Sequence, residues 1–586
     1  MKPSPRKISE LLRRRHQNEK ALLATVSGIA STSISMIDWF ARNTKVDIIT
    51  TKSIEVHANP GNREPVIAEP EPGSYGNAVG LRNPGLDTAL EQLEQLRARW
   101  NTYPLETKPL INVSLSASSA SDFALLARRL EVVADLLELN LSCPHAKLGF
   151  GAAIGSDPAA IREVISAVVA TTDLPVFVKL TPNVKSIGAM AKAAMDAGAD
   201  GIAAINSVGP RIYLEPHSGE PILSSPSSDS KDSNSGEQGR GGMSGRWVHS
   251  IALAAISEIR RTVGPDMPII GMGGVDSRKA FVSMHEAGAD AVGIGSALGG
   301  LHQRYWPSFL QVVSGKNGNA SLEFRFHNRI RMKYKPYRVV SNRHRSDDIV
   351  EIELDRALTT RPGQAVFAWL PSKGEKPLAP ALSDPLTFIV KKKGEFSRAF
   401  ATLQPGAVLY IRGPYGNCRK PPEASSARAG ESPIIMVVAG TGFAAVSIMA
   451  LELLASGRSV FILVGMRDVY SPFLSNHAEL MKITHIVEDD GREGRVIDVF
   501  EKHLSNLDVS DTTVISAGPE PFMRKIVSIA GAAGIKHGDI LLSLERTMLC
   551  GVGLCGACDC SGRLTCQYGT FISAREFASE WQLSRD

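Results

Sequence analysis

A chain of 586 residues is too long for a single hydrophobic core, so the sequence has to specify several domains. Hydrophobic residues at 43% and charged residues at 21% match soluble globular averages, which excludes collagen, coiled coil and wholesale disorder. The net charge of +5 is slight for this length and gives no reason to expect a nucleic-acid partner.

Residues 1–20 are basic and polar without an apolar segment, so they read as a tail and not as a secretory signal; Arg13-Arg14-Arg15 is its most charged part. From residue 21 to about 305, short β-branched runs alternate with helix-patterned segments, the rhythm of a parallel sheet with crossover helices. The expected strands are Leu22–Ser27, Val46–Thr50, Leu110–Ser114, Leu136–Leu139, Pro175–Leu180, Gly201–Ile205, Pro268–Gly271 and Ala289–Ile294. Eight such strands predict an α/β fold that begins with a (β/α)8 TIM barrel, whose chemistry belongs at the carboxyl ends of the strands. The stretch Pro210–Gly241 is rich in Ser, Asp, Gly and Pro and is expected to be a mobile lid or an inert insertion.

A basic, aromatic linker occupies about 306–335. Alternating patterns at Asp348–Leu354, Ala365–Leu370 and Val408–Arg412 then suggest a small antiparallel β-barrel over 336–425. From 426 to 540 the βαβ rhythm returns, with Ile434–Ala439, Val460–Gly465 and Thr513–Ala517 as strands. The apolar run Ile434–Ala455 contains Glu452 and is broken by Gly440-Thr441-Gly442, so it reads as strand, turn and helix and not as a membrane span. Residues 541–586 hold five of the seven cysteines, a crowding that points to a reducing compartment, hence the cytoplasm, and to a metal site.

The strongest chemical signal is Cys550-x4-Cys555-x2-Cys558-x7-Cys566, whose first three positions have plant-type [2Fe–2S] spacing. Gly551, Gly553 and Gly556 let backbone N–H groups approach the sulfides, while structural zinc is the alternative and Cys560 reads as a buried spare thiol. Cys143, directly after Asn140 at a strand end, is either a catalytic acid/base or an inert core thiol. Gly273 and Gly274 after the seventh strand, with Gly295 and Ser296 after the eighth, form the usual barrel phosphate cradle and call for a cofactor such as FMN. Lys52 and Lys179 are expected to point into the barrel mouth, where an anionic flavin edge or a carboxylate would pair them; stems lying along the surface are the alternative. Gly440, Thr441 and Gly442 open a helix after a strand, as a nucleotide phosphate turn does, and Gly518-Pro519 with Met523 follows the later strand.

Together these residues call up a family. The first 300 or so resemble soluble-class dihydroorotate dehydrogenase in Thr51-Lys52-Ser53, Gly61-Asn62-Arg63, Asn77-Ala78-Val79-Gly80-Leu81, Asn140–Pro144, Val178-Lys179-Leu180, Asn206-Ser207 and Gly241–Gly245. Residues from about 335 to 586 resemble the NAD-linked electron-transfer partner of that enzyme, here fused to it. The resemblance implies a pyrimidine pathway oxidoreductase in which dihydroorotate gives a hydride to FMN, Cys143 removes a proton, and electrons pass through a [2Fe–2S] cluster and FAD to NAD or another acceptor. Asn77, Val79, Gly80, Leu81, Asn140, His145, Asn206 and Ser207 would hold the pyrimidine, with Lys52. Ser27, Gly28, Lys52, Asn112, Asn140, Lys179, Ile205, Gly245, Gly273, Gly274, Gly295 and Ser296 would hold FMN. A homo-oligomer built on the barrel is implied as well.

The sequence departs from the family at three places. His145 stands where Asn is usual, giving the Cys-Pro-His of dihydropyrimidine dehydrogenases, so reduction of uracil or thymine is an alternative. Ala379–Ser383 lacks the arginine that usually meets the FAD phosphates and Gly394-Glu395-Phe396 replaces a Gly-x-Gly-Thr, although Pro362-Gly363-Gln364 and Gly413-Pro414-Tyr415-Gly416 are retained. Pro210–Arg240 is unlike the usual connector. A non-catalytic electron-transfer protein is the reading from another class.

Overall fold

The computed structural model describes residues 21–105, 108–141, 154–224, 239–316, 329–418, 433–467, 473–475, 477–488, 494–509 and 511–581. They fall into two compact units: residues up to Met332 together with Val552–Gly562, and Lys333–Gly551 together with the residues from Arg563 on.

In the first unit the strands are β1 (Leu22–Thr25), β2 (Ile48–Thr50), β3 (Ile67–Glu71), β4 (Ser74–Asn77), β5 (Leu110–Leu115), β6 (Leu136–Asn140), β7 (Val176–Leu180), β8 (Gly201–Ala204), β9 (Val208–Ile212), β10 (Arg240–Gly245), β11 (Ile269–Met272) and β12 (Ala291–Ile294). Eight of them close a parallel barrel in the order β1-β12-β11-β8-β7-β6-β5-β2, each at a position expected from its apolar run. The helices that cross between them start where short polar side chains satisfy their first N–H groups: Ser33, Ser119, Asp157, Ser186 and Ser277 each accept a hydrogen bond from a first-turn amide. At the amino ends of the strands, Asp47, Asp135, Asp200 and Asp290 accept one of the first two N–H groups of a neighbouring strand (Leu23, Ile111, Val176 and Ile269) at 2.7–3.0 Å. Lys316, Arg97 and Arg260 neutralise three of the four. Those carboxylates fix register at the face opposite the chemistry.

Inside the barrel, Leu22, Ala24, Ile48, Leu136, Phe177, Ala203, Ile270, Met272 and Ala291 form an apolar floor. Phe177 lies over Gly201, where any Cβ would overlap its ring. Above the floor the period of two along β5, β6 and β7 brings Asn112, Ser114, Glu138, Asn140 and Lys179 inward. The remaining strands make an antiparallel cover, β3-β4-β10-β9. The stretch expected as lid or insertion therefore begins and ends in paired strands, with Arg240 opposite Ile212; residues 225–238 lie outside the described residues.

In the second unit a seven-stranded antiparallel sheet runs from Gly374–Leu378 at one edge through Ala365–Leu370, Val408–Tyr415, Lys335–His344, Ile349–Leu354 and Leu386–Lys391 to Leu382–Ser383. Among the described residues the small antiparallel β-barrel expected here corresponds to this sheet, whose strands share one core with Phe388, Phe396 and Phe400. A second sheet orders Thr484–Glu488, Val460–Met466, Ile434–Ala439, Thr513–Ala517, Ile540–Ser543 and Phe571–Ser573, parallel except for the last. Two of these strands come from the far end of the chain, so the cysteine segment does not stand apart as a module. Among the described residues no helix is long and apolar enough to cross a membrane.

Candidate active site

At the carboxyl ends of the barrel strands the inward polar side chains join in one network. Ser53, just after β2, meets Ser27 Oγ at 3.2 Å and Ser114 Oγ at 3.0 Å, and accepts from Asn140 Nδ2 at 3.1 Å. Asn206 Nδ2 donates to Asn140 Oδ1 at 3.2 Å, and Ser207 N donates to Asn206 Oδ1 at 2.8 Å. Beneath them Ser114 Oγ donates to Glu138 Oε1 at 3.1 Å, and the Lys179 ammonium pairs with the same oxygen at 3.5 Å, both charged side chains being almost wholly buried. A charge taken out of water persists only when paired, so Lys179 is held by Glu138 as well as by anything that binds above it.

Lys52 stands beside this network, its ammonium 3.3 Å from the place a Cβ on Gly28 would take. Burial first, then the nearby Lys179, push its pKa down to about 8, while Cys555 and Glu55 pull the other way. Asn77, at the end of β4, donates to Gly242 O at 3.1 Å, and a Cβ on Gly242 would overlap the Ser207 hydroxyl. Asn77, Ser207 and the Asn140–Asn206 pair are therefore neighbours. Val79, Gly80 and Leu81 follow in a turn that packs on Asn62 and Asn83. Cys143 and His145 lie outside the described residues.

The glycines expected to cradle a phosphate converge. A Cβ on Gly274 (φ +65°) would stand 2.7 Å from Gly245 O and 2.9 Å from His249 Cβ, and one on Gly245 (φ +90°) would overlap Gly73 O. Gly273 O meets His249 Nδ1 at 3.0 Å, at the start of helix His249–Val263. A Cβ on Gly295 would overlap Val26, and Ser296 opens a 3-10 turn. Ile205 is buried and donates its N–H to Met272 O. Among the described residues, two buried acceptors in the mouth have no hydrogen-bond partner, Asn112 Oδ1 and Glu138 Oε2. Unmet acceptors above an apolar floor and beside a glycine cradle fit a planar, donor-bearing, phosphorylated ligand such as FMN.

Glu138, Ser53 and Ser114 were not singled out from the sequence. The available signal was a carboxylate inside the apolar run Leu136–Leu139, two residues before Asn140, which follows the same logic that picked out Lys179.

Within this unit the Val552–Gly562 loop docks beside the segment after β1. Ala30 N donates to Leu554 O at 3.1 Å, Gly300 N to Val552 O at 2.8 Å, Gln303 Nε2 to Gly562 O at 2.7 Å and Ser33 Oγ to Asp559 Oδ2 at 2.8 Å. In the second unit a wholly buried Arg412 forks onto Glu375 at 2.6 and 2.7 Å and donates to Cys550 O at 2.6 Å and Leu549 O at 3.2 Å. Cys550, Cys555, Cys558, Cys560 and Cys566 are all buried. Among the described residues no three His, Cys, Asp or Glu side chains are arranged to hold a metal ion, so the sequence expectation of a gathered thiolate set has no counterpart in this geometry. Buried thiols in a glycine-rich loop nonetheless have the donor chemistry of a cluster, and ligand sites commonly assemble only on binding.

Gly440, Thr441 and Gly442 form a 3-10 turn between strand Ile434–Ala439 and helix Phe443–Ala455. A Cβ on Gly442 would stand 2.5 Å from Ala517 O, whereas Gly440, at φ +53°, faces open space. Strand Ile434–Ala439 pairs with Val460–Met466 on one side and Thr513–Ala517 on the other, and the chain reverses its direction of build at this point, where open α/β sheets bind ligands.

A family model described as dihydroorotate dehydrogenase matches residues 16–306. The "Dihydroorotate dehydrogenase B (NAD(+)), catalytic subunit" of Methanocaldococcus jannaschii is 38% identical over 264 residues, 45% of this chain and 78% of that protein. The same-named subunit of Pyrococcus horikoshii is 40% identical over 47% of this chain and 81% of its own length, and that of Streptococcus pneumoniae 38% over 42% and 74%. These likenesses span about half of the present chain.

Proposed function

Because the chain belongs to the dihydroorotate dehydrogenase family and is an oxidoreductase of that family, we propose that its barrel oxidises dihydroorotate to orotate and that its second half carries the electrons away within one polypeptide. The observation that carries this reading is the mouth network itself, in which Asn140, Asn206, Ser207 and Asn77 converge next to the half-buried Lys52, the buried Lys179 and the glycine cradle.

Gly245, Gly273, Gly274, Gly295 and Ser296 would receive the FMN phosphate, and Ser27, Gly28, Asn112, Asn140, Ile205 and Lys179 would surround its ring. When bound there, FMN would supply the chemistry of accepting a substrate hydride, and a [2Fe–2S] cluster and FAD held by the second half would supply onward electron transfer toward NAD. The amides of Asn77, Asn140 and Asn206, with the Ser207 hydroxyl, offer the mixed donors and acceptors that a pyrimidine edge demands, and Val79, Gly80, Leu81 and His145 would complete its surroundings. Lys52 answers the substrate carboxylate, which a bare pyrimidine base lacks. Cys143 removes the C5 proton, a contribution of about 10²–10⁴-fold for a positioned base. The barrel floor beneath the reacting plane is apolar and offers no polar group to it.

Cys550, Cys555, Cys558 and Cys566 are the proposed cluster ligands, supported by their spacing and burial. Gly440, Thr441 and Gly442 are the proposed nucleotide turn. Comparing turnover of dihydroorotate with that of dihydrouracil by the purified chain tests the assignment: dihydroorotate should be the better substrate by kcat/KM, and a preference for dihydrouracil would replace this function with the dihydropyrimidine dehydrogenase reaction that His145 suggests.

A further inference from the structure

We propose that Glu138 is a positioning residue that acts through Lys179 to set the reduction equilibrium of a flavin bound in the barrel mouth; this rests on the proposed FMN site. Three observations converge on it. Glu138 sits on β6 and Lys179 on β7, both pointing into the barrel one layer above the apolar floor, and their side chains are 0% and 6% exposed. The ammonium and carboxylate stand 3.5 Å apart. Among the described residues only one carboxylate oxygen is engaged, by Lys179 and by Ser114 Oγ at 3.1 Å, while Oε2 is buried without a partner.

A surface ion pair tolerates such imperfection because water fills the gaps, whereas a pair this deeply buried depends on protein groups for its partners. A buried carboxylate kept half satisfied is costly for the fold, and its neighbours account for the position it holds. Ser114 ties it to Ser53, and through Ser53 to Asn140, so Glu138 is the lowest member of the network that ends at the proposed pyrimidine amides. Its effect on Lys179 is twofold. It anchors a long flexible side chain in one direction, and it offsets part of the positive charge that the ammonium presents upward. A flavin gains negative charge when reduced, so the balance between these two groups sets how readily reduction occurs.

The test uses the full-length holoprotein. The FMN reduction equilibrium is measured anaerobically against a reference dye for wild type, Glu138→Gln, Glu138→Asp, Lys179→Gln and the Glu138→Gln/Lys179→Gln double variant, with folding checked by circular dichroism. Removing the carboxylate charge leaves Lys179 uncompensated, so Glu138→Gln should favour reduced FMN by about tenfold, which for a two-electron couple is ~30 mV. Glu138→Asp should return most of the wild-type value, and the shift should vanish when Lys179 is already Gln, as coupling between two residues requires. An equilibrium unchanged in a folded Glu138→Gln protein, or a shift that persists in the Lys179→Gln background, overturns the proposal. If Glu138→Gln does not fold, Glu138→Asp carries the test: an equilibrium displaced in the wild-type background and undisplaced beside Lys179→Gln supports it, and any other pattern refutes it. Wild-type protein that binds no FMN would instead defeat the flavin site from which the proposal starts.

Discussion

Replacing Gly245 by alanine is the sharpest structural test of the phosphate cradle. Gly245 has φ +90° and ψ −157°, a region essentially reserved for glycine, where a side chain costs about 1–3 kcal/mol in backbone strain. The added methyl would overlap the Gly73 carbonyl oxygen and come to 2.9 Å from Ser74 Cα. Both are backbone atoms that cannot swing aside, and such overpacking costs typically 1–3 kcal/mol. Since Gly245 O packs against the Gly274 backbone, relief of the clash must widen the cradle. The apoprotein relieves this cost by displacing the cradle and FMN binding has to restore it, so the low end of the combined cost, about 2 kcal/mol, corresponds to ~30-fold in affinity. FMN fluorescence quenching on titration of the apoprotein reads this directly: Gly245→Ala should weaken binding by at least ~30-fold. Gly219→Ala serves as the control, because Gly219 also has positive φ (+72°) but no described residue within 4 Å of its Cβ position, and it should leave FMN affinity unchanged. Equal FMN affinity in wild type and Gly245→Ala would refute the placement of the phosphate.

Cys143→Ser should lower dihydroorotate turnover by about 10²–10⁴-fold while keeping FMN content and reduction of the protein by NADH, measured by anaerobic stopped flow; loss of FMN together with activity would make Cys143 a packing residue. The Lys52 ammonium, depressed by burial from 10.5 to about 8, releases its proton in the folded apoprotein before it does in the unfolded chain. Apoprotein stability should therefore rise as pH climbs from about 8 toward 10.5, and Lys52→Met should flatten that rise in urea titrations; equal slopes for the two proteins would contradict it. Arg412→Met leaves the Glu375 carboxylate buried and unpaired, so the second unit should lose about 3–5 kcal/mol, visible as an earlier urea transition. An unmoved transition would show that the pair is dispensable. Iron and acid-labile sulfide should be present in anaerobically prepared protein and fall on Cys555→Ser; zinc in their place would remove the cluster from the proposed route.

The barrel was legible because parallel strands buried on both faces read as continuous apolar runs, and Leu136–Leu139 or Ala289–Ile294 leave little else to be. The cover sheet was not, because Arg240–Gly245 is Arg-Gly-Gly-Met-Ser-Gly, without a β-branched residue, and is a strand only because β4 and β9 flank it. Lys52, Lys179, Asn140, Asn206 and Ser207 could be nominated by type and position, but the carboxylate that pairs Lys179 could not be weighed until the register of β6 against β7 was known. The small β-barrel was expected from alternation, which specifies strands and not closure. Least legible was the membership of Val552–Gly562 in the barrel unit, since it depends on hydrogen bonds from Ala30, Ser33, Gly300 and Gln303 across more than 250 positions of sequence.

The central claim, that the barrel mouth performs a two-electron oxidation of dihydroorotate on a bound flavin, is tested most directly by following the flavin absorption of the purified, flavin-loaded chain on anaerobic addition of dihydroorotate alone. Bleaching of the flavin band with stoichiometric appearance of orotate is the predicted result. A flavin-loaded sample whose spectrum does not change would contradict it.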